Sequence, residues 1–315
     1  MTENDAAVVR TGCGLVDRSE RGKLALTGSD AKEFLAGQVT NDVVGLEPGH
    51  GCYAAFLTHK GKMQGDLRIL DLGDELWLDT ERSTLQALFD TIRRFKIGYD
   101  VELHKRTLEC ALLSLVGPRA REVAGAEQLP SAEHSSMRAR RGGADVVLVA
   151  TADGVDAICA AEDADAVRAA FAEAGAVEVP EAAADLLRVE AGRPRYGIDI
   201  DETTIPQEAG LNERAVSFTK GCYVGQETVA RLFYKGKPNR HLRGLRLDGP
   251  AETGDVLRLG EREVGRVGTV VESPDLGTIA LALVRREAEP GAELAVGDDG
   301  ARRATVVELP FRAGA

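Results

Sequence analysis

The chain has 315 residues, about two domains at roughly 150 residues each, which excludes a small scaffold held together by disulfides or metal. Hydrophobic residues make up 43% and charged residues 29%, a balance that excludes a mostly disordered chain and an integral membrane protein. Acidic side chains outnumber basic ones, 51 against 39, for a formal charge of -12, and a field of that sign argues against direct nucleic-acid binding or contact with an anionic membrane.

No run approaches the length of about 18 apolar residues that a spanning helix needs, and MTENDAAVVR lacks the basic start and apolar stretch of a signal peptide. The expected location is the cytoplasm. Cys13, Cys52, Cys110, Cys159 and Cys222 are scattered without a C-x-x-C pair, and the five histidines stand in no ligand spacing, so the sequence predicts reduced thiols and no metal site.

Lys23 to Leu26 reads as a strand, followed by a turn at Thr27-Gly28 and a helix opening at Ser29-Asp30, with Asp30 and Glu33 in capping-box spacing. Tyr53 to Leu57 and Met63 to Leu70 are apolar-rich runs around a glycine-containing loop, the pattern of a β-hairpin. Leu76 to Leu78 predicts a further strand, and from Ser83 to Phe95 the apolar residues fall at helical spacing. Strand and helix alternate again later, with Val146 to Ala150, Ala157 to Cys159 and an alanine-rich helix over Asp163 to Ala174. Pro180 suits the first turn of a helix through Val189 that stops near Gly192 and Pro194. This is an α+β region.

Lys235 to Asn239 reads as a linker, and beyond it the pattern changes to short runs at Leu242 to Leu247, Val256 to Leu259, Val264 to Val271, Thr278 to Val284, Glu293 to Val296 and Ala304 to Leu309. Glycines punctuate them, which predicts a small β-barrel. The domain boundaries that follow are 1–238 and 239–315.

The densest unusual segment is Lys220-Gly221-Cys222-Tyr223-Val224-Gly225-Gln226-Glu227, continuing Thr228-Val229-Ala230-Arg231. A helix N-terminus at Cys222 beside Lys220 would favour thiolate and make Cys222 a nucleophile or soft metal ligand. On spacing alone, a buried small hydrophobe in a tight turn is the commoner outcome.

KGCYVGQETVAR resembles the signature of the YgfZ family, folate-binding relatives of the glycine-cleavage aminomethyltransferase, or T-protein. The resemblance extends to Gly37-Gln38-Val39-Thr40-Asn41-Asp42-Val43, to Lys60-Gly61-Lys62-Met63-Gln64-Gly65-Asp66-Leu67-Arg68, to Val189-Glu190-Ala191-Gly192-Arg193-Pro194 and to Ile205-Pro206-Gln207-Glu208-Ala209-Gly210-Leu211. It implies two ferredoxin-like, aminomethyltransferase-type α+β subdomains and a C-terminal β-barrel around a central hole that holds tetrahydrofolate or a one-carbon derivative. It also implies support of iron-sulfur enzymes, including tRNA-modifying ones, with iron-sulfur client proteins or assembly factors as partners.

Within that frame the residues have definite expected tasks. Glu190 or Glu208 would accept the paired donors of a reduced pterin, a bidentate geometry. Tyr196 and Tyr223 would wall the ring, and Arg231 would hold the glutamyl tail. Glu190 has an alternative partner in Arg188 or Arg193. Asp66 stands where aminomethyltransferases carry the aspartate that assists one-carbon transfer, which keeps a true aminomethyltransferase as the alternative function. Its simpler reading is a hairpin carboxylate paired with Lys62 or Arg68.

Overall fold

The computed structural model describes residues 1–297 and 300–311, so part of the expected 239–315 unit lies outside the described residues. One five-stranded sheet runs in the order Gly51–Leu57, Met63–Asp71, Leu76–Thr80, Gly22–Thr27 and Glu102–Lys105. Alternation along Met63–Asp71 sorts its side chains. Leu67 and Ile69 enter a core with Phe34 and Leu35 of the helix Ala31–Ala36 and Leu88 and Ile92 of the helix Leu85–Phe95, while Asp66, Arg68 and Leu70 occupy the other face.

The second sheet has six strands in the order Val177–Glu178, Gly14–Asp17, Cys110–Val116, Gly154–Ala160, Ala144–Ala150 and Ser136–Arg141. One of its faces packs on Val123 of the helix Ala120–Val123 and on Val167 and Phe171 of the helix Ala164–Glu173. The remaining faces of the two sheets meet through Leu70 and Trp77 on one side and Leu112, Val149 and Ile158 on the other. This apolar seam is small. Charged groups occupy the rest of the interface, which sets up the cavity described below.

The last unit is a closed barrel in the order Arg240–Leu247, Gly277–Arg285, Arg262–Ser273, Val256–Leu259, Glu293–Val296 and Arg302–Val307. Leu245, Leu257, Val267, Leu294 and Val306 fill its interior, and closure leaves no unpaired sheet edge. Its outer residues Leu242, Ile279 and Leu281 pack on Val9 of the helix Glu3–Thr11 and Leu186 of the helix Glu181–Glu190. The α+β fold with a terminal barrel is the one expected from the sequence. Two local expectations need correction. Asp30 makes no side-chain cap, because its carboxylate accepts instead from the Asp100 amide at 2.8 Å. Pro180 is the cap of the following helix rather than part of its first turn.

Candidate functional site

Between the two sheets lies a cavity of about 210 Å³. Its floor follows from strand register: Tyr53 lies opposite Arg68, Ala55 opposite Asp66, and Arg68 opposite Asp79 on the next strand. Asp66 and Arg68 therefore share the face turned to the second sheet. There Ser114 and Asp156 are paired across adjacent strands, and the Ser114 hydroxyl donates to Asp156 at 2.6 Å. Arg68 donates to Asp79 at 2.7 Å and to Asp156 at 2.6 Å, which ties the sheets together through three buried charges.

Asp66 is paired with neither Lys62 nor Arg68, the partners that the hairpin reading supplied. The Lys62 ammonium donates to the Thr203 carbonyl, and Arg68 is committed to its two aspartates. The Asp66 carboxylate is buried and accepts a 2.5 Å hydrogen bond from the Tyr53 hydroxyl. Burial pushes its pKa up to about 6, against the opposing effect of the Tyr53 bond, with Glu81 adding a further rise. Tyr53 is itself pushed well above its ordinary value by burial and by the adjacent carboxylate.

Tyr196 stands in the cavity wall, where its hydroxyl lies 3.4 Å from the Met63 carbonyl. The cavity edge carries guanidiniums held by carboxylates. Glu181 accepts from Arg18 at 2.8 and 2.9 Å and also from Arg195, which together take its pKa down to about 2 despite burial. Glu133 accepts from Arg214 at 3.0 Å and Arg193 at 3.4 Å. Seven arginines and six carboxylates line the cavity, and Glu181, Asp185 and Asp199 behind the lining hold Arg18, Arg188 and Arg195.

Several expected site residues lie elsewhere. Glu190, at the end of its helix, is engaged by Arg10 and by the Ser273 hydroxyl at 2.7 Å, so it fastens two helices to the barrel and does not line the cavity. Neither of the alternative partners Arg188 and Arg193 reaches it. Glu208 is buried against Arg240 at 2.8 Å, in a separate cleft of about 750 Å³ beside the barrel. Tyr223 packs in the same apolar cluster as Tyr196 but outside the cavity lining, with the Lys220 ammonium 4.9 Å from its ring centre. Arg231 is exposed on the helix Gln226–Lys235 and does not reach the cavity either.

Cys222 is exposed, contrary to the buried reading, and it does not sit at a helix N-terminus. The helix begins at Gln226, after Gly225 in a left-handed conformation with φ of 85°. A side chain at Gly225 would meet the Thr58 carbonyl at 2.6 Å, which explains the glycine. Lys220 turns away from the thiol. It donates to the carbonyls of Ala36 and Val39, and burial lowers its pKa to about 8. Among the described residues no group of three or more His, Cys, Asp or Glu is placed to hold a metal ion.

Sequence reasoning missed Tyr53, Arg68, Glu133, His134, Arg193, Arg195 and Arg214 as cavity residues. A signal existed for Arg68, a charge two residues from Asp66 inside the apolar run of a strand. Another existed for Arg195, one residue before Tyr196.

A three-part architecture of two layered α+β halves and a closed barrel is that of the glycine-cleavage T-protein class. The GCVT N-terminal domain matches residues 1–220, and the glycine cleavage T-protein C-terminal barrel domain matches residues 240–312. The chain belongs to this GCVT family. It is 33% identical to an aminomethyltransferase of Geobacillus thermodenitrificans (strain NG80-2), over 96% of this chain and 88% of that protein. An aminomethyltransferase of Rubrobacter xylanophilus is 31% identical over 96% of this chain and 84% of its own length. Among solved structures, the glycine cleavage system aminomethyltransferase T from Bartonella henselae superposes with a TM-score of 0.87 at 25% identity, covering 98% of this chain and 89% of that one.

Proposed function

We propose that this protein binds tetrahydrofolate or a one-carbon derivative by its pterin head in the central cavity, and that Asp66 handles the proton in a one-carbon transfer of the aminomethyltransferase type. The observation that carries this reading is the Asp66 carboxylate, buried beside Tyr53 with its pKa raised to about 6. At pH 7 roughly one such group in ten is protonated, so it exchanges a proton with little driving force in either direction. Tetrahydrofolate, when bound, supplies the nitrogens that accept a one-carbon unit.

The residues present fit that group. Asp66 accepts from pterin donors, and the Tyr53 bond fixes the direction in which its free oxygen points. Tyr196 walls the ring. Arg193 and Arg214, each about a third exposed, take the tail carboxylates in place of Arg231. A cavity of about 210 Å³ suits a bicyclic head rather than the whole folate. The test is equilibrium binding of 5-formyltetrahydrofolate, followed by single-turnover transfer from an aminomethyl-lipoyl carrier protein to tetrahydrofolate. Transfer that Asp66→Asn abolishes supports the reading, and folate binding without any transfer removes the enzymatic part.

A second reading is favoured by Cys222, the exposed one among the five free cysteines. In it the protein is a YgfZ-type factor for iron-sulfur enzymes in the cytoplasm, with client proteins or assembly factors as partners. One thiol cannot hold a cluster alone, so any cluster is shared with a partner. A strain lacking the gene then shows lowered [4Fe-4S] dehydratase activity, restored by wild type and not by Cys222→Ser. Restoration by Cys222→Ser ends this reading and leaves the first intact.

A further inference from the structure

We propose that His134 recognises the ligand in the central cavity, its imidazole pairing with the pterin head, an inference that rests on the folate reading above. His134 lines the cavity and has φ of 71°, where every other positive φ among the described residues belongs to glycine. A glycine would adopt that backbone without steric conflict, so the imidazole is present against local preference. The surrounding backbone enforces it. The His134 amide donates to the Ala150 carbonyl at 2.8 Å, the Ala150 amide donates to Ser135 at 2.8 Å, and the Ser136 amide donates to Gly49 at 2.7 Å.

The side chain has a second peculiarity. Its Nδ1 is buried with no hydrogen-bond partner among the described residues, and its Nε2 stands 3.9 Å from the Glu133 carboxylate, beyond hydrogen-bond range. Nδ1 is enclosed and out of a ligand's reach, so Nε2, without a hydrogen-bond partner among the described residues, is the nitrogen that this strained wall residue holds for a polar ligand. Burial does most to keep the imidazole neutral, with Arg68 and Arg214 acting in the same direction and Glu133 and Asp79 against them. A neutral imidazole whose Nδ1 is enclosed presents Nε2, as donor or acceptor according to tautomer, to the lactam and amine edge of a pterin, whereas the anionic tail is matched by the arginines.

The test uses the full chain, with His134→Gly to relieve the backbone and His134→Asn to keep a short polar side chain that tolerates positive φ. The probes are 5-formyltetrahydrofolate and the tail fragment p-aminobenzoylglutamate. His134→Gly is expected to melt no lower than wild type, to weaken 5-formyltetrahydrofolate at least tenfold and to leave the tail fragment unchanged, with His134→Asn intermediate. In the wild type, 15N imidazole spectra should show the Nε2 resonance moving on saturation with 5-formyltetrahydrofolate. Wild-type affinity in both variants, or an unmoved Nε2 resonance, overturns the inference while the folate reading stands. Absence of 5-formyltetrahydrofolate binding to wild type overturns both.

Discussion

Replacing Asp66 by asparagine should make the protein more stable and chemically inert. The unfolded carboxyl titrates near 3.8 and the folded one at about 6, so the native state binds the extra proton between those values. For a raised carboxyl pKa the stability contribution is present in acid and is lost as pH rises from about 4 through 6. The shift of about two units corresponds to roughly 3 kcal/mol of native-state penalty at pH 7 and above. Asparagine escapes that penalty but accepts more weakly from Tyr53, a loss of about 1 kcal/mol, which leaves a net gain of about 1–2 kcal/mol. Urea unfolding of both proteins at pH 4.5, 6 and 8 measures it. The gain should be largest at pH 8 and shrink toward zero at pH 4.5, and one-carbon transfer should fall at least a hundredfold, the usual scale for a lost proton-transfer group at about 10² or more. A destabilised Asp66→Asn at pH 8, or a difference independent of pH, would refute the account of Asp66 as a carboxylate held against its solvation.

Glu190→Gln loosens the Arg10 pair that joins two helices to the barrel, so chemical denaturation should register a loss of about 1 kcal/mol, while 5-formyltetrahydrofolate affinity stays at wild type. Weakened folate binding would return Glu190 to the site. Glu181, whose pKa falls from 4.5 to about 2 between its two arginines, stabilises the fold above pH 4.5 and loses that contribution as pH falls toward 2. With its side chain a third exposed, screening reduces the effect to about 1–2 kcal/mol. Glu181→Gln should be less stable at pH 7 and show a flatter acid limb in a pH-dependent melt. Native thiol labelling followed by peptide mapping should find Cys222 modified first, because burial raises Cys13 and Cys159 to about 11 and Cys52 to about 12; equal labelling of all five would contradict the burial pattern.

Periodicity made the outer layers legible and left the interface between them obscure. The helix Leu85–Phe95 and the strand Met63–Asp71 were readable because each has one apolar face and one different face. Cys110–Val116 was not, since it is packed on both sides and its run CALLSLV carries no alternation. The site shows the same division. Asp66 was found through a motif, and its buried setting followed from the hairpin register. Glu190 and Glu208 were misplaced because a carboxylate's partner depends on tertiary contacts with Arg10 and Arg240, residues 180 and 32 positions away. His134 carried no sequence signal. Its strain is imposed by hydrogen bonds from the His134 and Ser136 amides to the carbonyls of Ala150 and Gly49, neither of which a local pattern reveals.

The barrel reaches the cavity through Thr269, whose hydroxyl accepts from the cavity residue Arg188 at 2.7 Å, and through the buried carboxylate of Asp199. Asp199 accepts from the Arg195 amide and from Arg188, each at 2.8 Å, and its other oxygen accepts from the Thr269 amide of the barrel at 2.7 Å. Gly268 permits this approach, since a Cβ there would stand 2.4 Å from the Asp199 carboxylate. The wall segment bearing Arg195 and Tyr196 is thus positioned by a strand that contributes no residue to the cavity itself. The floor, by contrast, is set by Arg68 bridging the two sheets. A ligand seated between Asp66 and Tyr196 would therefore contact groups fixed by all three units, and binding energy gained there stabilises their junctions against unfolding. The barrel holds the loop that bears Arg195 and Tyr196, so a domain without a side chain in the cavity bears on the cavity's shape.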